Sequence, residues 1–355
     1  MNLSFLPKKK ILSLDIGSYE IKVVEGKETK KGIIIDNYFT IPMPKGAYEN
    51  GKIVDKDLIH YVLKEKLKGN KVKSKDVYLT INSSSILTRD VIIPKVEYEQ
   101  IGNISKFQLG DYIPVNVENY IVQFKVIGHV YEEDIEKLNI LLIAIPKDIV
   151  ESHYKLLKDL ELNPLVLDYQ PNSMAKLIKY NGIINDNYAT EDITFAGIDI
   201  GYDNTKVTIV KNGIIQVARI VEIGGKYIDQ NILNFCEYNQ EELEQMKKEI
   251  KNINQIEEEY SEHNRMINIM KNSFESLNEK IDIIFRYYLT REINNKINMI
   301  LLFGGNANIN GISNLFSNYF NIPSIKVESF NNLDFNGEIS KYVNPIGSIF
   351  RTVEV

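Results

Sequence analysis

The chain has a single cysteine, Cys236, so no intrachain disulfide can form. Its four histidines, His60, His129, His153 and His263, lie far apart, without the short spacing that a Cys/His metal site requires. No apolar run approaches the roughly 20 residues needed to cross a bilayer. The longest, Leu138 to Ile145, has the length of a strand and contains Asn139. Nor is there a basic excess: 42 Lys+Arg stand against 48 Asp+Glu, a net charge of −6, which gives no general footprint for nucleic acid or an anionic bilayer. These absences exclude a disulfide scaffold, a zinc module, a membrane-spanning protein and a general nucleic-acid binder, and they describe a cytosolic chain. What is present is 355 residues, 44% of them hydrophobic, enough for two domains or one two-lobed body with a core in each part.

Lys8, Lys9 and Lys10 precede the apolar Ile11 to Leu14, but Asp15 ends that stretch too early for a signal-peptide core. The start reads as a solvated basic tail, with weak contact to the cytoplasmic leaflet as the other reading.

Strand composition marks Ile11 to Ile16, Ile21 to Val24 and Gly32 to Ile41, the first two forming a hairpin broken by Asp15-Ile16-Gly17. Helical spacing follows over Asp57 to Leu67. Strands are expected at Asp76 to Ile81, Thr88 to Ile93, Tyr120 to Gly128 and Leu138 to Ile145, with helices over Tyr98 to Tyr112 and Asp148 to Leu160. A strand over Pro164 to Asp168 and a helix over Ser173 to Tyr180 lead to Asn181 to Asp192, rich in Asn, Asp and Gly, which reads as a linker. The pattern then restarts. Asp199-Ile200-Gly201 and Lys206-Val207 repeat Asp15-Ile16-Gly17 and Lys22-Val23 at one constant offset, and Asn212-Gly213 predicts a tight hairpin turn. Residues from Tyr227 to Met299 read as mostly helical and charged. Ile300 to Phe303 is a buried strand, followed by a helix over Ile312 to Phe320 and a short strand over Ser324 to Val327.

One Asp-x-Gly turn reads first as a tight hairpin whose Asp bonds its own backbone. A matched pair carries more. Glycine after a buried strand lets the backbone present bare N–H groups to phosphate oxygens, and a preceding aspartate repels phosphate but can hold a divalent cation beside it. A third element, Gly304-Gly305-Asn306-Ala307-Asn308, follows a buried strand; it allows the chain to pass flat against a planar ligand, or is an ordinary strand-to-helix loop.

In this order, the two Asp-Ile-Gly hairpins and the Gly-Gly-Asn-x-Asn turn resemble the phosphate-1, phosphate-2 and adenosine motifs of the actin-like ATPase superfamily. An extra β-β-α-β-β-α unit from Asp76 to Leu162 resembles the inserted subdomain of its FtsA-like branch. Within that branch the PilM family is the nearer match, through Thr88 to Pro94, Asp111-Tyr112-Ile113-Pro114, Ile145 to Val150 and Leu165 to Asp168. The ending, Asn344 to Val355, is too short for an independent membrane-lying helix of the kind that finishes FtsA-like proteins, which favours the PilM side.

The resemblance implies an α/β fold of two lobes with duplicated ribonuclease H-like cores. It divides the chain into a first-lobe core (1–75), the insert (76–162), a return with linker (163–191), a second-lobe core (192–226), a helical subdomain (227–297), the rest of the second core with the adenosine motif (298–335) and a C-terminal return to the first lobe (336–355). It implies ATP and Mg2+ as cofactors. Asp15, Gly17 and Ser18 would form the first phosphate loop, with Lys22 turned to solvent. Asp199, Gly201 and Asn204 would form the second, where bulky Tyr202 and Asp203 stand against close phosphate approach. Asp15 and Asp199 would hold the metal, directly or through water. Gly224 and Gly225 would lead into the helical subdomain. Glu244 and Lys247 would contact the nucleoside, or else lie on an exposed helix face, and Gly304, Gly305, Asn306 and Asn308 would complete the adenosine side. Gln170, or Asp168, would position an attacking water, though Gln170 also reads as a plain helix start; ATP binding is expected with slow turnover left open.

The implied role is a cytoplasmic scaffold at the inner face of the cell membrane. It would bind the N-terminal peptide of a PilN-like membrane protein in a groove lined by parts of Asp76 to Arg89 and Tyr98 to Tyr112, and link it to the pilus motor ATPases. Self-association stays open, and neither nucleic-acid binding nor direct membrane insertion is expected. The competing readings are an FtsA-like polymerising division protein and a small-molecule kinase of the same superfold.

Overall fold

The hairpin of β1 (Ile11–Ile16) and β2 (Glu20–Thr29) begins the chain's first sheet in a computed structural model that describes residues 9–102, 104, 116–132, 135–255 and 261–350. Next come β3 (Gly32–Pro42), the small ribbon of β4 (Tyr48–Glu49) and β5 (Lys52–Ile53), helix α1 (Lys56–Gly69) and β6 (Asp76–Ile81). The strands β7 (Leu87–Pro94), β8 (Tyr120–Glu132) and β9 (Ile135–Pro146) form a separate three-stranded sheet in the order β7-β9-β8. Helix α2 (Lys147–Asp159), β10 (Asn163–Tyr169) and α3 (Pro171–Tyr180) return to the first lobe. After the ribbon of β11 (Ile183–Ile184) and β12 (Tyr188–Ala189), β13 (Thr194–Ile200), β14 (Thr205–Lys211) and β15 (Ile214–Val221) open the second lobe. Helices α4 (Gly225–Phe235), α5 (Gln240–Glu249) and α6 (Glu262–Leu289) precede β16 (Met299–Phe303), α7 (Ile312–Phe320), β17 (Ser324–Lys326), β18 (Leu333–Asp334) and α8 (Ile339–Ile349).

The two lobes repeat one sheet. The first has the order β10-β6-β1-β2-β3-β18, and the second, read from its parallel edge, β17-β16-β13-β14-β15. In each, an antiparallel meander (β1-β2-β3, β13-β14-β15) is extended by parallel strands beyond its first member. Every residue of β13 and nearly all of β1 is buried, which explains why these strands read as continuous apolar runs rather than alternating ones. Asn212 and Gly213 both have left-handed φ, 51° and 72°, as the tight β14–β15 turn requires.

Helices α3 and α8 pack against each other between the lobes. Every residue of α8 from Ile339 to Ile349 except Lys341 is buried, so this helix has no solvent face. At the crossing, a Cβ added to Gly347 would lie 2.4 Å from the Ser173 carbonyl oxygen, closer than any side chain allows. In α6 the buried residues Met266, Met270, Phe274, Leu277, Ile281, Phe285 and Tyr288 follow helical spacing and form the stripe that packs on the second lobe.

Several expectations change. β6, expected to open the insert at residue 76, pairs in parallel with β1 and β10 inside the first-lobe sheet, so the separate sheet begins only at Leu87. β18 already pairs with β3, so the return to the first lobe begins before residue 336. The presumed linker is folded: Ile183–Ile184 pairs with Tyr188–Ala189, and the turn residues Asn185 and Asp186 take φ of 49° and 58°. Asn181 is fully buried, donating to Leu177 O at 2.8 Å and accepting from the Asn332 N–H at 2.9 Å. Linker-like composition here marks left-handed turns and a polar helix end. Among the described residues, the charged helical stretch around and after Tyr227 holds three helices, with buried Ile250 and Ile253 after α5. Of the helix expected over Tyr98 to Tyr112, the residues 98–102 are helical. Asn103 and residues 105–112, with the Asp111-Tyr112-Ile113-Pro114 motif, lie outside the described residues, as do residues 1–8.

Candidate functional site

The duplicated hairpins face one another across a cleft of about 620 Å³. In the antiparallel register Asp15 stands opposite Lys22, and Asp199 opposite Lys206. Opposed residues project from the same face of a sheet, so each lysine reaches its own aspartate. Both Nζ–Oδ2 distances are 3.5 Å. Beyond each aspartate the turn closes in the same way, the Gly17 N–H donating to Glu20 O at 3.1 Å and the Gly201 N–H to Asn204 O at 3.1 Å. The expectation that Lys22 points to solvent is therefore corrected: its side chain is only 14% exposed. Burial works against its charged form, but Asp15, Asp199 and Glu20 outweigh that and hold its pKa above the ordinary value.

Both aspartates are buried and held from several sides. Asp15 Oδ1 accepts from the Thr80 hydroxyl and from Gln170 Nε2, each at 2.9 Å. Asn344 Nδ2, from α8, donates to Asp199 Oδ2 at 2.9 Å and lies 3.5 Å from Asp15 Oδ2. One amide thus spans the two lobes at the floor of the cleft. Gln170 caps the start of α3, with Pro171 in the first turn, where the missing N–H costs nothing. Its Oε1 is buried and has no partner among the described residues.

Asp168, the other candidate for positioning water, does not line the cleft. Its carboxylate is bonded by Lys176 and by Asn172 Nδ2, which makes it an ion-paired strand end. Gly224, Gly225 and Gly304 also lie behind the lining. A Cβ on Gly225 would meet Asn306 Nδ2 at 2.5 Å, and Gly304, at φ 89°, packs so that a Cβ would lie 2.4 Å from Asp199 Oδ1. These glycines let neighbouring turns press against the second hairpin, where Asn306 Nδ2 donates to Gly201 O at 3.0 Å.

The remaining candidates, Ser18, Asn204, Glu244, Lys247, Gly305, Asn306 and Asn308, line the cleft with the aspartates, Gly17, Gly201 and Gln170. Asn308 Oδ1 accepts from the Ser340 hydroxyl at 2.9 Å. Lys247 bonds Asp229 Oδ1 at 2.8 Å and lies 3.8 Å from Glu244 Oε1, so its nearer partner is a residue that sequence spacing did not indicate. Burial raises the pKa of Asp229 against the pull of Lys247, and Glu244 adds to the rise. The Tyr19 hydroxyl is pushed up to about 12 by burial and by Glu244 across the cleft.

Asp15 and Asp199 are the two buried carboxylates of the hairpins that could hold a divalent cation in this cleft. No group of three or more His, Cys, Asp or Glu suited to a metal occurs among the described residues. Two carboxylates are a sufficient protein share for Mg2+, which takes one or two together with phosphate oxygens and water. The sequence reading gave no place at the site to Lys22, Lys206, Thr80, Asp229 or Asn344. The first two were legible from the hairpin register; the others come from distant parts of the chain.

A family model described as type IV pilus assembly protein PilM matches residues 13–344. Among solved structures, one described as the PilM-PilN type IV pilus biogenesis complex aligns with a TM-score of 0.77 at 17% identity, covering 97% of each chain. The ethanolamine utilization protein EutJ from Carboxydothermus hydrogenoformans gives a TM-score of 0.54 at 13% identity, over 97% of this chain and 90% of its own. MreB5 of Spiroplasma citri bound to ADP gives 0.55 at 16% identity, over 96% and 95%. The shared architecture is the two-lobed actin-like ATPase fold that the resemblance implied.

Proposed function

The chain belongs to the family of the type IV pilus assembly protein PilM, with a role in pilus assembly, and on that premise we propose that it is an ATP-binding scaffold of the assembly platform. The observation that carries the nucleotide reading is the pair of Asp–Lys turns facing each other across one cleft. Its volume of about 620 Å³ falls within the range of small-molecule sites. Lys22 and Lys206 supply positive charge for phosphates, and the turn N–H groups supply directed donors. Asp15 and Asp199 would hold Mg2+, which supplies charge neutralisation of the phosphates when bound. Glu244, Lys247 and Asp229 would face the nucleoside, and Gly305, Asn306 and Asn308 would flank the base. MreB5, solved with ADP, lends the same fold a nucleotide precedent.

For turnover, Gln170 is the residue to test. Asp15 grips its amide nitrogen, which leaves Oε1 as the acceptor for a water proton.

The partner we infer is the N-terminal peptide of a PilN-like membrane protein, in line with the PilM-PilN complex described for a structural neighbour. Its groove would lie between the first lobe and the three-stranded sheet, where an extended peptide would combine backbone pairing with side-chain pockets. In this reading parts of Asp76 to Arg89 and Tyr98 to Tyr112 would line it; β6 would contribute from the first-lobe side, since it pairs within that sheet. No helix of the described residues is long and apolar enough to cross a membrane; the inner-face location, the link to motor ATPases and any self-association follow from partners in this reading.

The test is titration with a fluorescent ATP analogue, with and without Mg2+, comparing the native protein with Asp15→Ala and Asp199→Ala, followed by pull-down with PilN-type peptides. Mg2+-dependent binding lost in either variant supports the clamp. Absence of binding at high micromolar protein overturns it and leaves a nucleotide-free scaffold.

A further inference from the structure

The second hairpin reaches across the cleft through Asp203. The Ser18 hydroxyl donates to Asp203 Oδ2, and the backbone N–H of Asn50 donates to the same oxygen at 3.2 Å. Ser18 lies in the turn after β1 and Asn50 in the β4–β5 turn, so one second-lobe carboxylate ties two separate segments of the first lobe together. Asn50 is itself fixed. Its side chain donates to Ser84 Oγ at 2.6 Å and accepts from the Ser84 N–H at 2.9 Å, which aims the backbone N–H at Asp203. Beside this contact the Tyr19 and Tyr202 rings lie 5.2 Å apart at 44°. The tips of the two hairpins are therefore joined by a charge-assisted hydrogen-bonded clasp and an aromatic contact.

A hydroxyl and a backbone N–H converging on one anionic oxygen is the arrangement that phosphate oxygens use. Here the chain's own carboxylate fills it. A phosphate that enters to use Ser18 meets both an occupied donor and a like charge. We propose that Asp203 is a built-in competitor for nucleotide phosphate: it clasps the lobes together in the ligand-free protein, and a phosphate gains Ser18 and Asn50 only by displacing it. The inference rests on the reading of the cleft as a nucleotide site and adds a regulation of that site. It also accounts for a residue that, in the sequence, stood only as an obstacle in the second phosphate loop.

The experiment pairs two readouts on the full chain, native and Asp203→Asn. Hydrogen exchange of the ligand-free protein reports the clasp, and calorimetric titration with Mg-ATP reports the competition. Asp203→Asn keeps the shape and removes the charge. We expect faster amide exchange at residues 17–19, 50 and 201–204 with the rest unchanged, and Mg-ATP affinity tightened by about tenfold, the scale of one charge-assisted hydrogen bond. Ser18→Ala removes a clasp partner and a phosphate donor together, so it accelerates the same exchange without tightening the nucleotide. Unchanged exchange in both variants overturns the clasp. Faster exchange with unchanged or weaker Mg-ATP affinity in Asp203→Asn overturns the competition. No Mg-ATP binding by any of the three proteins overturns the nucleotide reading, and the competition with it, while accelerated exchange still establishes the clasp.

Discussion

Asn344 donates its side-chain amide to Asp199 at 2.9 Å from a helix packed between the lobes, and the same nitrogen lies 3.5 Å from Asp15. Two buried carboxylates on opposite lobes share a neutral donor, which lowers the cost of their approach without spending a counter-charge. Removing the donor in Asn344→Ala is expected to cost about 1–3 kcal/mol, since a buried carboxylate oxygen loses its close amide donor and keeps only Lys206 at 3.5 Å. Asn344→Asp should cost more than Asn344→Ala, because it adds a third acid to the pair, and Mg2+ should recover part of the loss. Urea unfolding with and without Mg2+ measures both; equal losses in the two variants would show that Asn344 does not mediate between the aspartates.

The two lysines of the repeated hairpins make the next prediction. Lys22 is nearly buried and carries a pKa raised above its ordinary value by Asp15, Asp199 and Glu20 against the effect of burial, so it remains charged beside the cleft. Lys22→Met and Lys206→Met should each weaken ATP binding by at least about tenfold, the loss expected when one partner of a buried charge contact is removed. Lys22→Arg should weaken it less, since the charge is kept while the reach changes. ATP affinity unchanged in both methionine variants would mean that these lysines serve only their aspartates.

Much of this site was readable from sequence because it is local. Asp15, Gly17, Lys22 and their counterparts Asp199, Gly201 and Lys206 sit within eight positions of one another in each hairpin, and their repetition reveals the duplicated lobes. The direction of Lys22 was lost by treating it alone; the register that pairs it with Asp15 decides which face it takes. Asn344 was hidden for another reason. It is 145 residues from Asp199, and in a chain rich in asparagine neither its type nor its spacing distinguishes it. Asp168 went the other way: a carboxylate at a strand end beside Gln170 looks available until α3 places Lys176 over it. The first boundary of the insert failed because β6 has the composition of any buried strand, and only its pairing with β1 shows which sheet owns it.

His153 offers a pH test. It is fully buried on α2, its Nδ1 against Ile149 O at 2.7 Å and its Nε2 against the Tyr48 hydroxyl at 3.1 Å. Burial pushes its pKa down from 6.5 to about 4, so the folded protein keeps it neutral where the unfolded chain takes a proton. Between those values the unfolded state binds more protons, and stability falls as pH falls. The loss reaches on the order of 3 kcal/mol below the folded pKa. Urea unfolding of the native protein and His153→Phe at pH 7.5 and 5 should show a steeper acid loss in the native protein. Parallel losses would mean that His153 is not the group responsible.

The final prediction concerns how the three-stranded sheet is tied to the second lobe. Asp90 on β7 accepts from Arg291, just beyond α6, at 2.5 Å, and its side chain is 7% exposed. The Arg291 and Arg219 guanidinium groups each lie 5.6 Å from the Tyr287 ring, and Arg219 also donates to the Thr88 hydroxyl at 2.9 Å. The strand that begins the insert is thus gripped by cations from β15 and from the end of α6, both second-lobe elements. Arg291→Ala leaves Asp90 buried without its counter-charge and should destabilise by about 3 kcal/mol, whereas Asp90→Ala together with Arg291→Ala should cost less than the two single losses summed. A double-mutant cycle by urea unfolding measures that coupling. If nucleotide binding shifts the lobes, the same pair is where the shift reaches the insert, so Arg291→Ala should also change how Mg-ATP alters hydrogen exchange in β7 and β9. An additive cycle together with an unchanged exchange response would mean that the insert rides on the first lobe alone.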